Sequence, residues 1–115
     1  MIPVELLLEA NRDHGTRGRV RPRDSSIHRM PIECDGEIVG FWTPHTSACG
    51  RQRIGPVYVR PSHRQRGLVL AVYRSITGPM LACIEDGNVA SERLHESAGF
   101  TRWRRYHAGW YWKRG

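Results

Sequence analysis

One stretch of eleven residues, Val59-Arg60-Pro61-Ser62-His63-Arg64-Gln65-Arg66-Gly67-Leu68-Val69, constrains this chain more than any other. A β-branched run over 54–59 stops at Pro61, passes through a basic turn with one glycine, and continues into an apolar, helix-compatible segment over 69–76. Strand, basic turn and helix together make a phosphate-binding architecture. The first amides of a helix have no intrahelical acceptor and lie at the positive end of its dipole, so the turn can hold an anionic pyrophosphate.

The 115 residues suffice for one domain with a single core, and the sequence is read as one domain over 1–115. No run of about 18 apolar residues is present, which excludes a membrane-spanning helix. Met1-Ile2-Pro3-Val4-Glu5 lacks the basic start and long apolar core of a signal peptide, so a cytoplasmic protein is expected. Cys34, Cys49 and Cys83 are odd in number and lack zinc-site spacing, which argues for reduced thiols. Cys34 beside Ile32, and Cys83 between Ala82 and Ile84, are expected to be buried. The six histidines show no ligand spacing, and no metal is expected. The formal charge is +7, and all the basic residues but Lys113 are arginine. Arginine suits bidentate phosphate contact, although a GC-rich genome would enrich it regardless of function.

Along the chain, residues 3–12 read as a helix with Val4, Leu7, Leu8 and Asn11 at helical spacing, ended by Gly15. Residues 16–24 read as a loop in which Arg17, Arg19, Arg21 and Arg23 alternate, so an extended backbone would point all four the same way. Asp35-Gly36 between apolar segments 30–34 and 37–42 is a hairpin signal. After a loop over 43–52, residues 53–60 read as a strand in which Gly55-Pro56 implies a bulge or an edge. A helix over 69–77 is closed by Gly78-Pro79, and a short strand follows over 80–84. Asn88 caps a helix over 88–98 that Gly99 ends, and two final strands flank His107-Ala108-Gly109. This order predicts an α/β (α+β) protein with a mixed sheet.

Val59-x-Pro61-x-x-Arg64-x-x-Gly67 resembles the acyl-CoA pyrophosphate loop of the GNAT acyltransferase superfamily, usually Arg/Gln-x-x-Gly-x-Gly/Ala, with Val69 where a second small residue is usual. Downstream, Asn88-x-x-Ser91-x-x-Leu94-His95-x-x-x-Gly99-Phe100 resembles that superfamily's Asn-x-x-Ala-x-x-Leu-Tyr-x-x-x-Gly-Phe. The resemblance runs from about Met30 to the end of the sequence and treats the N-terminal part as abbreviated. It implies a central, mostly antiparallel mixed sheet with a splayed strand pair, flanked by helices.

The resemblance also implies a site. Acyl-CoA would lie along the strand over 54–59, with backbone groups of Val57 and Val59 taking the pantetheine and polarising the thioester. Arg64, Gln65, Arg66, Gly67, Leu68 and Val69 would hold the pyrophosphate, and Asn88 would contact the cofactor or simply cap its helix. His95 stands where the family often has a tyrosine that reprotonates the CoA thiolate, a task an imidazole can perform, or it is a surface residue. No carboxylate lies in residues 53–60, so Glu85 is the first candidate base and Tyr58 an alternative polar group. Arg17, Arg19, Arg21 and Arg23, with Trp42, would meet the acceptor.

The expected activity is transfer of an acyl group from acetyl-CoA, or another acyl-CoA, directly to an amine. The basic chain suggests an acceptor on DNA or RNA, and small basic members of the superfamily occur in bacteriophages, one branch modifying DNA bases. The rival is a non-catalytic domain of the same fold that binds nucleic acid or a protein. The aromatic C-terminal hairpin, Trp103, Tyr106, Trp110, Tyr111 and Trp112 among Arg102, Arg104 and Arg105, either stacks bases or covers the last helix. Monomer and homodimer are both open.

Overall fold

The computed structural model describes residues 2–13, 20 and 27–115. The chain forms two compact units, one from Met1–His45 and Ile54–Arg66, the other from Thr46–Arg53 and Gly67–Gly115.

In the first unit, helix α1 (Val4–Arg12) starts from Pro3, whose carbonyl accepts the Leu6 and Leu7 amides at 3.1 and 3.4 Å. Its buried face is Leu6, Leu7 and Ala10, which corrects the expected face: Val4 and Leu8 are 49% and 44% exposed. Five apolar residues within seven positions define two overlapping stripes, and packing chooses between them. The chosen stripe joins a core of Ile2, Val20, Phe41 and Tyr58. Asn11 fastens Val20, its Nδ2 donating to the Val20 carbonyl at 2.7 Å and its Oδ1 accepting the Val20 amide at 3.0 Å. The helix stops at extended Asp13, ahead of Gly15, which lies outside the described residues.

Strands β1 (Met30–Cys34) and β2 (Glu37–Trp42) form the expected hairpin, with Asp35 and Gly36 at φ 53° and 80° as a primed turn requires. The hairpin carries a bulge between Ile32 and Glu33. The strand expected over 53–60 does not form as one element. Only β4 (Gln52–Arg53) and β5 (Tyr58–Val59) are strand, and they belong to different sheets. Pro56, joined to Gly55 by a cis peptide, has no amide for a ladder. The intervening carbonyls are used locally, Ile54 accepting from the Thr43 amide at 2.9 Å and Pro56 from the Thr43 hydroxyl at 3.0 Å. The first sheet is ordered β1-β2-β5 and is antiparallel throughout.

The second sheet is ordered β3-β4-β6-β8-β7, from β3 (His45–Thr46), β4, β6 (Met80–Glu85), β7 (Thr101–Tyr106) and β8 (Gly109–Arg114). The loop expected over 43–52 thus contains two short strands. In this sheet β4–β6 is parallel while β6–β8 and β7–β8 are antiparallel. Helix α2 (Leu68–Ser75) precedes β6, and α3 (Val89–Ser97) follows it. Asn88 caps α3 by accepting the Ser91 amide at 3.2 Å. Arg114 binds the sheet to both helices, donating to the carbonyls of Tyr73, Ala98 and Ile76 at 2.9, 3.3 and 2.7 Å.

Directly paired residues share a sheet face, so the register sorts the side chains. Met80, Ala82 and Ile84 lie with Arg114, Trp112 and Trp110 on the face that Arg114 ties to the helices. Cys83, with Tyr111, is on the opposite face and is exposed, which corrects the expectation of a buried thiol; Cys34 is half-buried. Its apolar sequence neighbours point the other way because strand side chains alternate.

Candidate functional site

β5 is one of the two outer strands of the first sheet, β1 being the other. Arg60 donates its amide to Val39 O at 2.9 Å, and Val59 pairs with Gly40. By the alternation of an antiparallel ladder, the Val59 N–H and C=O therefore point away from β2. The carbonyl is already taken, accepting from Arg64 Nε at 2.8 Å. Val57 precedes the strand and is half-buried. Tyr58 is packed into the core beside Phe41, their ring centroids 6.2 Å apart, and burial raises its hydroxyl pKa. The expected polar group facing a cleft is instead a core residue of this unit.

Arg64 is committed within the same unit. Besides Val59 O, it holds Asp13 through Nη2 at 2.7 Å, and its guanidinium lies 5.5 Å from the Tyr58 ring. Arg66 and Gln65 are exposed, and Gln65 is left-handed at φ 62°.

In the second unit Gly67, also left-handed at φ 74°, is the N-cap of α2. The first bond of the helix runs from Ala71 N to Gly67 O at 3.0 Å, so the amides of Leu68, Val69 and Leu70 precede the intrahelical ladder. Leu68 and Val69 are half-buried. A helix N-terminus of this kind suits an anion.

His95 is buried. Its Nδ1 lies 2.6 Å from the Ser91 carbonyl, which can only accept, so Nδ1 carries a proton. Burial lowers the pKa against the opposing effect of that carbonyl. The neutral ring then has Nε2 free to accept the Tyr73 hydroxyl proton at 2.8 Å. Tyr73, His95 and Phe100 meet edge to face with centroids 4.9–5.1 Å apart. Burial also raises the Tyr73 pKa strongly. The residue that stands where the resemblance expects a tyrosine is thus a neutral, interior imidazole, and sequence reasoning missed Tyr73, its partner. Only the helical pattern of α2 could have flagged Tyr73, by placing it on the packed side.

Glu85 ends β6, half-buried, its carbonyl accepting the Asn88 amide at 3.2 Å. Asp86 is held by Arg105 through two oxygens at 2.6 and 2.5 Å, which lowers its pKa. Trp42, opposite Met30 at the end of β2, is half-buried. Arg17, Arg19, Arg21 and Arg23 lie outside the described residues. Among the described residues no helix is long and apolar enough to cross a membrane, and no three His, Cys, Asp or Glu side chains gather as a metal site requires.

No protein-family model and no curated protein matches the sequence. Solved structures do match. A Bordetella pertussis protein described as a GnaT-family acetyltransferase aligns over 70% of this chain at 20% identity with a TM-score of 0.52. A Bacillus anthracis acetyltransferase of the GNAT family aligns over 69% at 17% identity and 0.54. This chain covers 59% of the length of each of those two proteins. A Klebsiella pneumoniae protein described as an acyl-CoA N-acyltransferase aligns over 96% of this chain and 87% of its own length, at 16% identity and 0.61. The fold is therefore the GNAT fold, a mixed and mostly antiparallel α+β architecture, as the two sequence motifs imply.

Proposed function

We propose that this chain, having the GNAT fold, is an acyl-CoA-dependent N-acyltransferase with acetyl-CoA as donor and an amine on a nucleic acid or modified nucleobase as acceptor. The observation that carries the reading is a sheet-edge strand followed along the chain by a helix that opens at a left-handed glycine, β5 and then Gly67 before α2. A strand edge is what a pantetheine arm requires, and unbonded helix amides are what a pyrophosphate requires. The amides of Leu68 and Val69 are assigned to the pyrophosphate, with the exposed Arg66 next to them in sequence, and in its own unit the Val59 amide is assigned to the pantetheine.

In this reading the acceptor nitrogen attacks the thioester carbonyl carbon, the N–C bond forms and the C–S bond breaks. Glu85 takes the proton lost by nitrogen, and the His95–Tyr73 pair is the proton relay to the departing thiolate. Positioning the two reactants supplies much of the rate. Arg64 is assigned to the architecture of its own unit rather than to phosphate.

Calorimetric titration with acetyl-CoA, followed by a thiol-release assay over polyamines, peptides and amine-bearing nucleobases, tests the reading. Binding with thiol release supports it; absence of acetyl-CoA binding overturns it. His95→Phe keeps a ring but removes the relay, and turnover is expected to fall by about 10²-fold with donor affinity retained. One observation favours the second reading, a non-catalytic domain of this fold: His95 is interior and neutral. That reading predicts donor binding without thiol release for every acceptor.

A further inference from the structure

The hairpin that ends the chain carries a bulge between Arg102 and Arg104. Arg102 pairs with Trp112 and Arg104 with Tyr111, so Trp103 is the extra residue. Without it, Arg104 would fall on the helix side of the sheet. With it, Arg104 shares the outward face with Tyr111 and Cys83, and Trp103 turns to that same face, where Lys113 stands opposite Leu81. The Trp103 ring has three cations around it, Arg104, Arg51 and Lys113, at 4.6, 4.9 and 5.2 Å from its centroid. Tyr111 and Tyr106 continue the aromatic row with centroids 5.1 Å apart.

The two faces differ in how their charges are balanced. On the helix side Arg102 pairs with Glu92 at 3.6 Å, Arg105 with Asp86, and Arg114 with three carbonyls. On the outward side neither Arg104 nor Lys113 forms an ion pair among the described residues, whereas Arg51 Nη1 donates to Gly115 O at 2.9 Å. The outward face is therefore a half-exposed aromatic row in which Arg104 and Lys113 crowd one ring without an ion pair among the described residues, with Glu85 the acid at the far end of the same face. Two copies of this face would oppose like charges, which disfavours a self-complementary dimer.

We propose that the outward face of β6, β8 and β7 binds single-stranded nucleic acid, with bases stacked on Trp103, Tyr111 and Tyr106 and phosphates met by Arg51, Arg104 and Lys113. Exposed rings on a sheet offer every base a stacking partner, and guanidinium groups serve both stacking and phosphate contact. A duplex hides its bases from such a surface. By register Glu85 lies on the same face, opposite Gly109 and in line with Tyr106. The inference deepens the acceptor class proposed above, but the bulge and the cation cluster carry it without any donor.

The test is a titration of fluorescently labelled oligo(dT) and oligo(rU) with the full chain in the absence of acyl-CoA, read by anisotropy and tryptophan quenching. Duplex DNA and phosphatidylserine vesicles are the comparison arms. Both oligonucleotides should bind at low salt and quench tryptophan. Trp103→Ala should weaken binding by roughly tenfold or more, and Trp103→Phe, which keeps a ring, should restore most of it. Arg104→Gln together with Lys113→Gln should flatten the salt dependence by about 0.7 in slope per lost contact. Arg102→Ala, on the helix side, should bind as the parent does. Equal affinity for duplex and single strand, vesicle binding tighter than oligonucleotide binding, dimerisation lost in Trp103→Ala, or no oligonucleotide binding at low salt would each overturn the proposal. Because acyl-CoA is absent, such a failure leaves donor binding and thiol release to be judged separately.

Discussion

The Tyr73 hydroxyl donates to His95 Nε2 at 2.8 Å, and this bond joins α2 to α3 through two aromatic side chains that are both buried. Tyr73→Phe leaves the imidazole nitrogen buried without a donor. A loss of about 1–3 kcal/mol is expected, read as a lower urea midpoint at an unchanged denaturant slope.

The same pair makes stability depend on pH. The folded pKa of His95 lies below its ordinary value of 6.5, so the unfolded chain binds the proton more tightly. The His95 contribution is intact above about pH 6.5 and is lost as pH falls through that value toward the folded pKa. The expected slope is at most about 1.4 kcal/mol per pH unit from this one group. Urea melts from about pH 7.5 down to about pH 5 check it. His95→Phe, less stable or not at pH 7, should lose this part of the slope.

Two glycines lie where a side chain would strike backbone. A Cβ on Gly109 would come 2.1 Å from Ile84 O, and one on Gly40 would come 2.2 Å from Tyr58 O. Either alanine variant must push strands apart, and we expect a loss of about 3 kcal/mol or more, seen in thermal melts. Gly36 meets nothing within 4 Å but sits at φ 80°, so Gly36→Ala should lose only about 1–2 kcal/mol, through backbone strain.

The two turn arginines should separate. Arg64→Ala loses its Asp13 and Val59 contacts and is expected to lower stability by up to about 1 kcal/mol, its side chain being nearly half exposed. Arg66→Ala should leave the melting temperature unchanged and weaken acetyl-CoA binding by roughly tenfold. Calorimetry and thermal melts on both variants check the division.

The thiols should also differ. Cys49 is exposed, and its hydrogen bond with Ser47 at 3.2 Å lowers its pKa, so it should be alkylated first near neutral pH. Cys83, also exposed, should react in the folded chain, and peptide mass mapping would show the order.

By itself the sequence determined the features whose causes are local. Asp35-Gly36 fixes a hairpin because its backbone angles favour those two residues, and Asn88 fixes the start of α3 because its side chain caps the Ser91 amide. The two motifs, each a strand or helix junction with its own turn chemistry, were enough to imply the GNAT fold. Tertiary structure decided what depends on partners distant along the chain. The buried stripe of α1 was chosen by Phe41 and Tyr58, because five apolar residues in seven leave the helical period ambiguous. The strand expected over 53–60 was divided because Gln52–Arg53 and Tyr58–Val59 found different sheets and Pro56 could join neither ladder. His95 became an interior residue when Tyr73, 22 positions away, supplied a proton to its ring. Trp103 and Arg104 reached one face because a bulge, set by how β7 registers on β8, cancelled the alternation their positions predict.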